Sequence, residues 1–238
     1  MYSATLLVLW SLLAILKPVN AEDARGCPLA ANVSSLVELI PASTLPCPDG
    51  LELKYLLLGI GTQNYTCLSE DEGDTPESAG AIAQLYDIGT PLLHDPLASW
   101  VIESVSQVAF LASAGGEQWI SNFLPPGFQN SVGRHFFDEE GPMFALDQQG
   151  ELPCPQIHVK KLHEADAPFS PCSDRLVEPN VRWLLLGDSG GMSRGGVDTV
   201  YRLMTAGGSR PATCRGLEPY FGVTYVAQYW MFGSPYGP

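Results

Sequence analysis

Positive charge is scarce in this sequence. Across 238 residues, 12 Lys and Arg stand against 26 Asp and Glu, a formal net charge of −14. A surface of that sign repels phosphate backbones and anionic headgroups, which excludes nucleic acid and membrane surfaces as partners. Long apolar runs are scarce as well. The one at the start, Leu6 to Leu16, is about half of the roughly 20 residues that a spanning helix needs. No Cys-x-x-Cys pair exists, so the usual ligand spacing of structural zinc is missing. No histidine follows His163, which removes every hydrolase order that needs a His after its nucleophile.

What is present begins with that apolar run. Lys17, Pro18, Val19, Asn20 and Ala21 follow it, and Val19 and Ala21 stand where a signal peptidase reads small or apolar residues. The expectation is an export signal over 1–21, cut after Ala21, and a single secreted β-rich domain over 22–238. No Lys or Arg precedes the run, unlike most such signals. Loss of Lys17 takes the charge from −14 to −15.

All 6 cysteines lie beyond the signal. In an exported chain an even count reads as disulfides. The pairing expected is Cys27 with Cys47, Cys154 with Cys172, and Cys67 with Cys214; the first two close short loops and the third ties distant strands. Asn32 (before Val33-Ser34) and Asn64 (before Tyr65-Thr66) are glycosylation acceptors.

Pro and Gly are spread along the whole chain, 20 and 24 of them, as in folds of many short strands and tight turns. Strands are predicted at 53–58, 63–68, 81–87, 143–146, 157–162, 181–186, 199–205 and 223–232. The last carries apolar or aromatic groups on both faces, the mark of a strand buried on both sides. One helix is predicted after a cap at Asp95 and a first-turn Pro96, with Leu97, Trp100, Val101, Val105, Val108, Ala109 and Ala112 facing the core and Gly115-Gly116 ending it. The fold class is mainly β: a sandwich or barrel with one inserted α-helix, stabilised by disulfides.

Three motifs promise chemistry and fail on context. Gly187-Asp188-Ser189-Gly190-Gly191 looks like a serine nucleophile, but none of His94, His135, His158 and His163 has the setting of its base, and a glycine-rich turn follows instead of a helix. Gly59-Ile60-Gly61 follows a strand, as in dinucleotide sites, but another strand follows it, with no helix N-terminus to hold a pyrophosphate. The acidic runs at 69–74 and 138–140 lack the spacing of a calcium loop. No cofactor and no metal is expected.

The strings Gly61-Thr62-Gln63-Asn64-Tyr65-Thr66-Cys67, Ala83-Gln84-Leu85-Tyr86-Asp87-Ile88-Gly89, Gly133-Arg134-His135-Phe136-Phe137 and Val223-Thr224-Tyr225-Val226-Ala227-Gln228-Tyr229-Trp230-Met231-Phe232 resemble a family of secreted fungal proteins whose members are often labelled malate dehydrogenase. The resemblance runs from Leu53 to Phe232 in order. It departs where this chain carries the 96–112 helix and the family has a short turn. It implies a mostly β secreted domain and brings no catalytic residues with it.

Two functions follow as expectations. The first is a non-catalytic extracellular binder of a small molecule or a polysaccharide, using the aromatics Tyr220, Phe221, Tyr225, Tyr229, Trp230 and Tyr236. The second is a cofactor-free isomerase or cyclase of fungal secondary metabolism, with His135, Asp87, Tyr201 and Arg202 as candidate groups. In either case polar groups should gather among aromatic walls, with His135 first among them.

Overall fold

In the computed structural model of the chain, residues 33–68, 74–113, 127–129, 131–146, 154–168 and 179–235 are described. Eight strands make one closed barrel: β1 (Glu52–Thr66), β2 (Glu77–Asp87), β3 (Ser131–Asp138), β4 (Gly141–Ala145), β5 (Gln156–Ala165), β6 (Trp183–Asp188), β7 (Thr199–Gly207) and β8 (Tyr220–Gly233). Each strand pairs antiparallel with the next, and β8 pairs with β1 from Glu52↔Gly233 to Thr66↔Tyr220. Closure leaves no open sheet edge. Following paired residues from Gly61 through Ala83, His135 and Phe144 to Ile157 leads from the middle of β1 to the start of β5, so the strands are tilted. Of the two expected architectures, the chain adopts the barrel.

Two apolar compartments hold it. Alternate residues of the strands fill the interior, among them Leu57, Leu85, Phe144, Val200, Tyr229 and Met231. The intervening residues of β1, β7 and β8, such as Leu56, Leu58, Leu203, Val226 and Trp230, are buried outside the barrel beneath a layer of helix and loop. Tyr225 to Gly233 are therefore all buried, as expected for a strand covered on both faces. The outer layer consists of a 3-10 turn (Ser34–Leu39), the short helix α1 (Gly89–Leu92) and the longer α2 (Ala98–Ser113).

Helix α2 starts as predicted. Asp95 Oδ1 accepts from Leu97 N at 2.8 Å and caps the first turn. Its buried face is the predicted one only in part: Val105, Ala109 and Ala112 are buried as expected and Val101 packs against the core, but the face is rotated towards Ala98, Ile102 and Ser106. Ala98, Ile102, Val105, Ser106, Ala109 and Ala112 pack inward, while Leu97, Trp100 and Val108 are exposed. The helix is apolar on both sides, with Glu103 its one charged residue, so hydrophobicity offered two stripes. The stripe with three alanines and a serine lets the backbone come close to the barrel, and Gln228 Nε2 donates to Ile102 O at 2.6 Å across that contact. The predicted stop at Gly115-Gly116 lies outside the described residues.

The two predicted strands 53–58 and 63–68 are one continuous β1. The glycines between them form no phosphate turn. A Cβ on Gly59 would lie 2.5 Å from Tyr229 Cε2, so the missing side chain makes room for that ring inside the barrel. Strand β3 was not predicted; Gly133 interrupts its hydrophobic pattern where the backbone of β4 lies against it. Gly187 to Gly191 close the β6–β7 turn. Gly190 and Gly191 have φ of +72° and +79°, Asp188 accepts from Ser193 N at 2.7 Å and from Gly191 N, and Ser189 N donates to His158 O.

Cys67, just past β1, is bonded to Cys214 in the β7–β8 connection, 147 residues away. Cys154 is also disulfide-bonded; its expected partner, Cys172, lies outside the described residues. Of the expected Cys27–Cys47 pair, Cys47 is exposed with its thiol free on the loop ahead of β1, and Cys27 lies outside the described residues, as do Asn32 and Tyr236. Asn64 stands within paired β1, where its side-chain oxygen accepts from Thr62 Oγ1 at 2.9 Å.

Candidate site inside the barrel

Alternation on β8 points Tyr225, Ala227, Tyr229 and Met231 inward. The Tyr225 and Tyr229 hydroxyls share a hydrogen bond of 2.9 Å. On β1 the same alternation runs Leu57, Gly59, Gly61, Gln63, and Gly61 is the register partner of Tyr225. Arg202 on β7 sits opposite Tyr229 on one side and Leu184 on the other, and faces inward with them. His135 on β3 completes the polar tier. Its ring is stacked on Phe144 (centroids 4.2 Å apart, planes 13°) and tilted against Tyr229 (5.6 Å) and Phe137 (5.7 Å).

The polar groups gather towards one end, where β1, β3, β5 and β7 finish. Arg202 Nη2 reaches that end and donates to Arg182 O at 2.9 Å. Tyr65 OH donates to Gly208 O at 2.7 Å there. Gly207 and Gly208, with φ of +69° and +83°, bend the chain across the opening. A Cβ on Gly208 would meet Tyr225 Cβ at 2.6 Å and Gln63 Cγ at 3.1 Å, so only glycine fits this crossing. The rest of the interior, built from residues such as Leu57, Leu146, Ile157 and Met231, is apolar.

Protonation follows from burial. His135 is held at a pKa of about 4, mainly because burial penalises the imidazolium; its bond to Met143 O acts the other way and the Arg202 charge lowers it further. The ring is neutral near pH 7. Nδ1 lies 2.9 Å from a carbonyl oxygen, so Nδ1 carries the proton and Nε2 keeps a lone pair. Burial raises Tyr229, and raises Tyr225 well above the ordinary phenol range, with the Arg202 charge opposing in both. Both are therefore neutral hydroxyls. The Gln63 amide lies beside Tyr225 and also opposes its rise, but it stands outside bonding geometry: Nε2 is buried and has no partner. Arg202 Nε is buried and unpartnered too. Such donors each cost the fold about 1–3 kcal/mol.

The structure separates the four candidate groups. His135 and Arg202 share the interior. Tyr201, next to Arg202 on an extended strand, points the opposite way. Its hydroxyl donates to Pro46 O at 2.8 Å and its ring meets Phe232 edge-on, which fastens the loop ahead of β1 to the outer wall. Burial, with Cys47 and Asp49 adding, pushes that phenol up to about 12. Asp87 ends β2 and accepts from Thr90 N at 3.1 Å, capping α1. Gln63 went unremarked in the sequence, although a polar residue on the inward face of β1 was the available signal.

The other titratable groups have local roles. Asp138 accepts from Glu140 N and Gly141 N to turn β3 into β4. Among the described residues no group of three or more His, Cys, Asp or Glu could hold a metal ion, and no helix is long and apolar enough to cross a membrane.

The fold and this interior define a closed, eight-stranded antiparallel barrel with apolar walls and a polar tier towards one end. Residues 48–233 match the family described as Protein of unknown function (DUF3455), and the chain belongs to it. The matched segment opens just before β1 and closes on Gly233, the last residue of β8, so the family's unit is the barrel. No curated protein and no solved structure matches the chain.

Proposed function

We propose that this is a secreted fungal glycoprotein that holds a small molecule inside its barrel without transforming it. Export rests on the segment ending at Ala21 and on an exported chain's use of disulfides. Binding rests on one observation: aromatic rings and a few convergent polar side chains share the barrel interior, the composition of small-molecule sites. The polysaccharide alternative has less support. Of the described aromatics named for it, Tyr225, Tyr229 and Trp230 are buried, Phe221 is half-buried and Tyr220 is exposed. A sugar-stacking face needs several exposed rings side by side.

Catalysis by a cofactor-free isomerase or cyclase draws on a single feature, the neutral His135 with a lone pair on Nε2. The ring is stacked on Phe144, and neither Asp87 nor Tyr201 stands beside it, so an acid to pair with that base is missing from the four candidates.

The test is titration with N-phenyl-1-naphthylamine, an uncharged apolar fluorophore. Saturable binding with one site per chain and a blue-shifted emission is expected. A linear, unsaturable response would refute an interior site for small molecules.

A further inference from the structure

We propose, building on the small-molecule reading above, that the barrel interior selects an organic anion: a flat apolar molecule ending in a carboxylate, with Arg202 and Gln63 receiving that group. The side chains inside the barrel offer donors in excess of acceptors. Gln63 Nε2 and Arg202 Nε are both buried and both without a partner. Gln63 itself is 8% exposed, so water does not serve it freely. The two stand around the same hydroxyl pair. Gln63 lies two residues beyond Gly61, the register partner of Tyr225, and Arg202 lies opposite Tyr229.

Arg202 also makes no close ion pair, although its charge helps to keep the exposed Glu164 carboxylate ionised. Among the described residues no carboxylate lies within ion-pair distance of it. The nearby acids are already engaged: Glu164 by Lys161 at 2.8 Å and by Arg182, and Asp166 by Arg182 at 3.1 Å. The field of the guanidinium nevertheless reaches Tyr65, His135, Tyr225 and Tyr229, which places the charge within the tier. A partly buried guanidinium with no carboxylate in bonding contact is best satisfied by one, whose oxygens accept charge-assisted bonds. A cation would meet this charge at close range. An uncharged apolar ligand would leave both donors unbonded. The rings of Tyr65, Phe137 and Tyr229 supply apolar contact for a flat body. The chain as a whole is strongly negative, so long-range attraction does not bring an anion here; selectivity is local.

The experiment compares 2-naphthoate with 2-naphthamide, equal in shape and different in charge, by calorimetry at neutral pH. The carboxylate is expected to bind about tenfold more tightly or better. Arg202→Met should abolish the difference between the two compounds. Arg194→Met, which removes an exposed positive charge elsewhere, should keep it. Gln63→Glu, which sets a negative charge beside the carboxylate, should also abolish it, and this variant decides the matter if Arg202→Met does not fold. Equal affinity of the two compounds for the wild-type protein overturns the anion proposal and leaves the binder reading standing. So does N-phenyl-1-naphthylamine binding with no binding of either naphthalene. Failure of all three probes overturns both.

Discussion

Burying His135 between Phe144 and Tyr229 makes the fold sensitive to acid. The folded pKa, about 4, lies below the ordinary value near 6.5. Between those values the unfolded chain binds a proton that the folded chain refuses, so stability falls as pH drops through this window. The sequence singled out His135 because Phe136 and Phe137 follow it, but the rings that bury it are Phe144 of β4 and Tyr229 of β8. His135→Gln keeps a donor for Met143 O and removes the titration. Urea unfolding should show the wild type losing roughly 2–3 kcal/mol more than this variant between pH 7 and pH 4. Parallel losses would mean that His135 is not buried neutral. Tyr201 and Arg202 mark the limit of sequence reading at this scale. Neighbours on a strand face opposite ways, and nothing local says which faces in; that is fixed by Arg202 pairing with Tyr229 across the sheet. Gln63 escaped notice for the same reason.

At the scale of elements, helix α2 is the informative case. Its position and its Asp95 cap were legible because capping is a local hydrogen bond. Its orientation was legible only in part, because large apolar residues occur on both sides: Val105, Ala109 and Ala112 were read correctly, Leu97, Trp100 and Val108 were not. The barrel selects the face with small side chains, since close approach of helix and sheet depends on side-chain volume. Ala109→Leu should therefore destabilise by about 1–3 kcal/mol through overpacking against β7 and β8. Trp100→Ser, on the exposed side, should change stability by no more than about 0.5 kcal/mol. Thermal and urea denaturation of the two variants check this; a larger loss from Trp100→Ser would put that ring in the core. Strand β1 makes the complementary point. Its Gly59 and Gly61 look like a break between two strands, yet they let one long strand pass the Tyr229 ring and the neighbouring backbone. A glycine reads as a turn from sequence and as a close contact in the fold.

For the whole molecule, the β class was visible in strand periodicity and in the spread of Pro and Gly. Closure was not, because pairing of β1 with β8 joins residues more than 150 positions apart and leaves no local trace. The Cys67–Cys214 bridge sits beside this closing seam and ties the end of β1 to the β7–β8 connection. That closure creates an interior, and the interior is where the account places function: apolar walls, two phenols, a neutral imidazole and a guanidinium with no carboxylate in bonding contact. The measurement that bears on this most directly is a crystal structure of the protein soaked in 2-naphthoate. The predicted result is the naphthalene inside the barrel with its carboxylate within hydrogen-bond distance of Arg202. Naphthoate bound on the outer wall, with the interior side chains unchanged from the free protein, would contradict it.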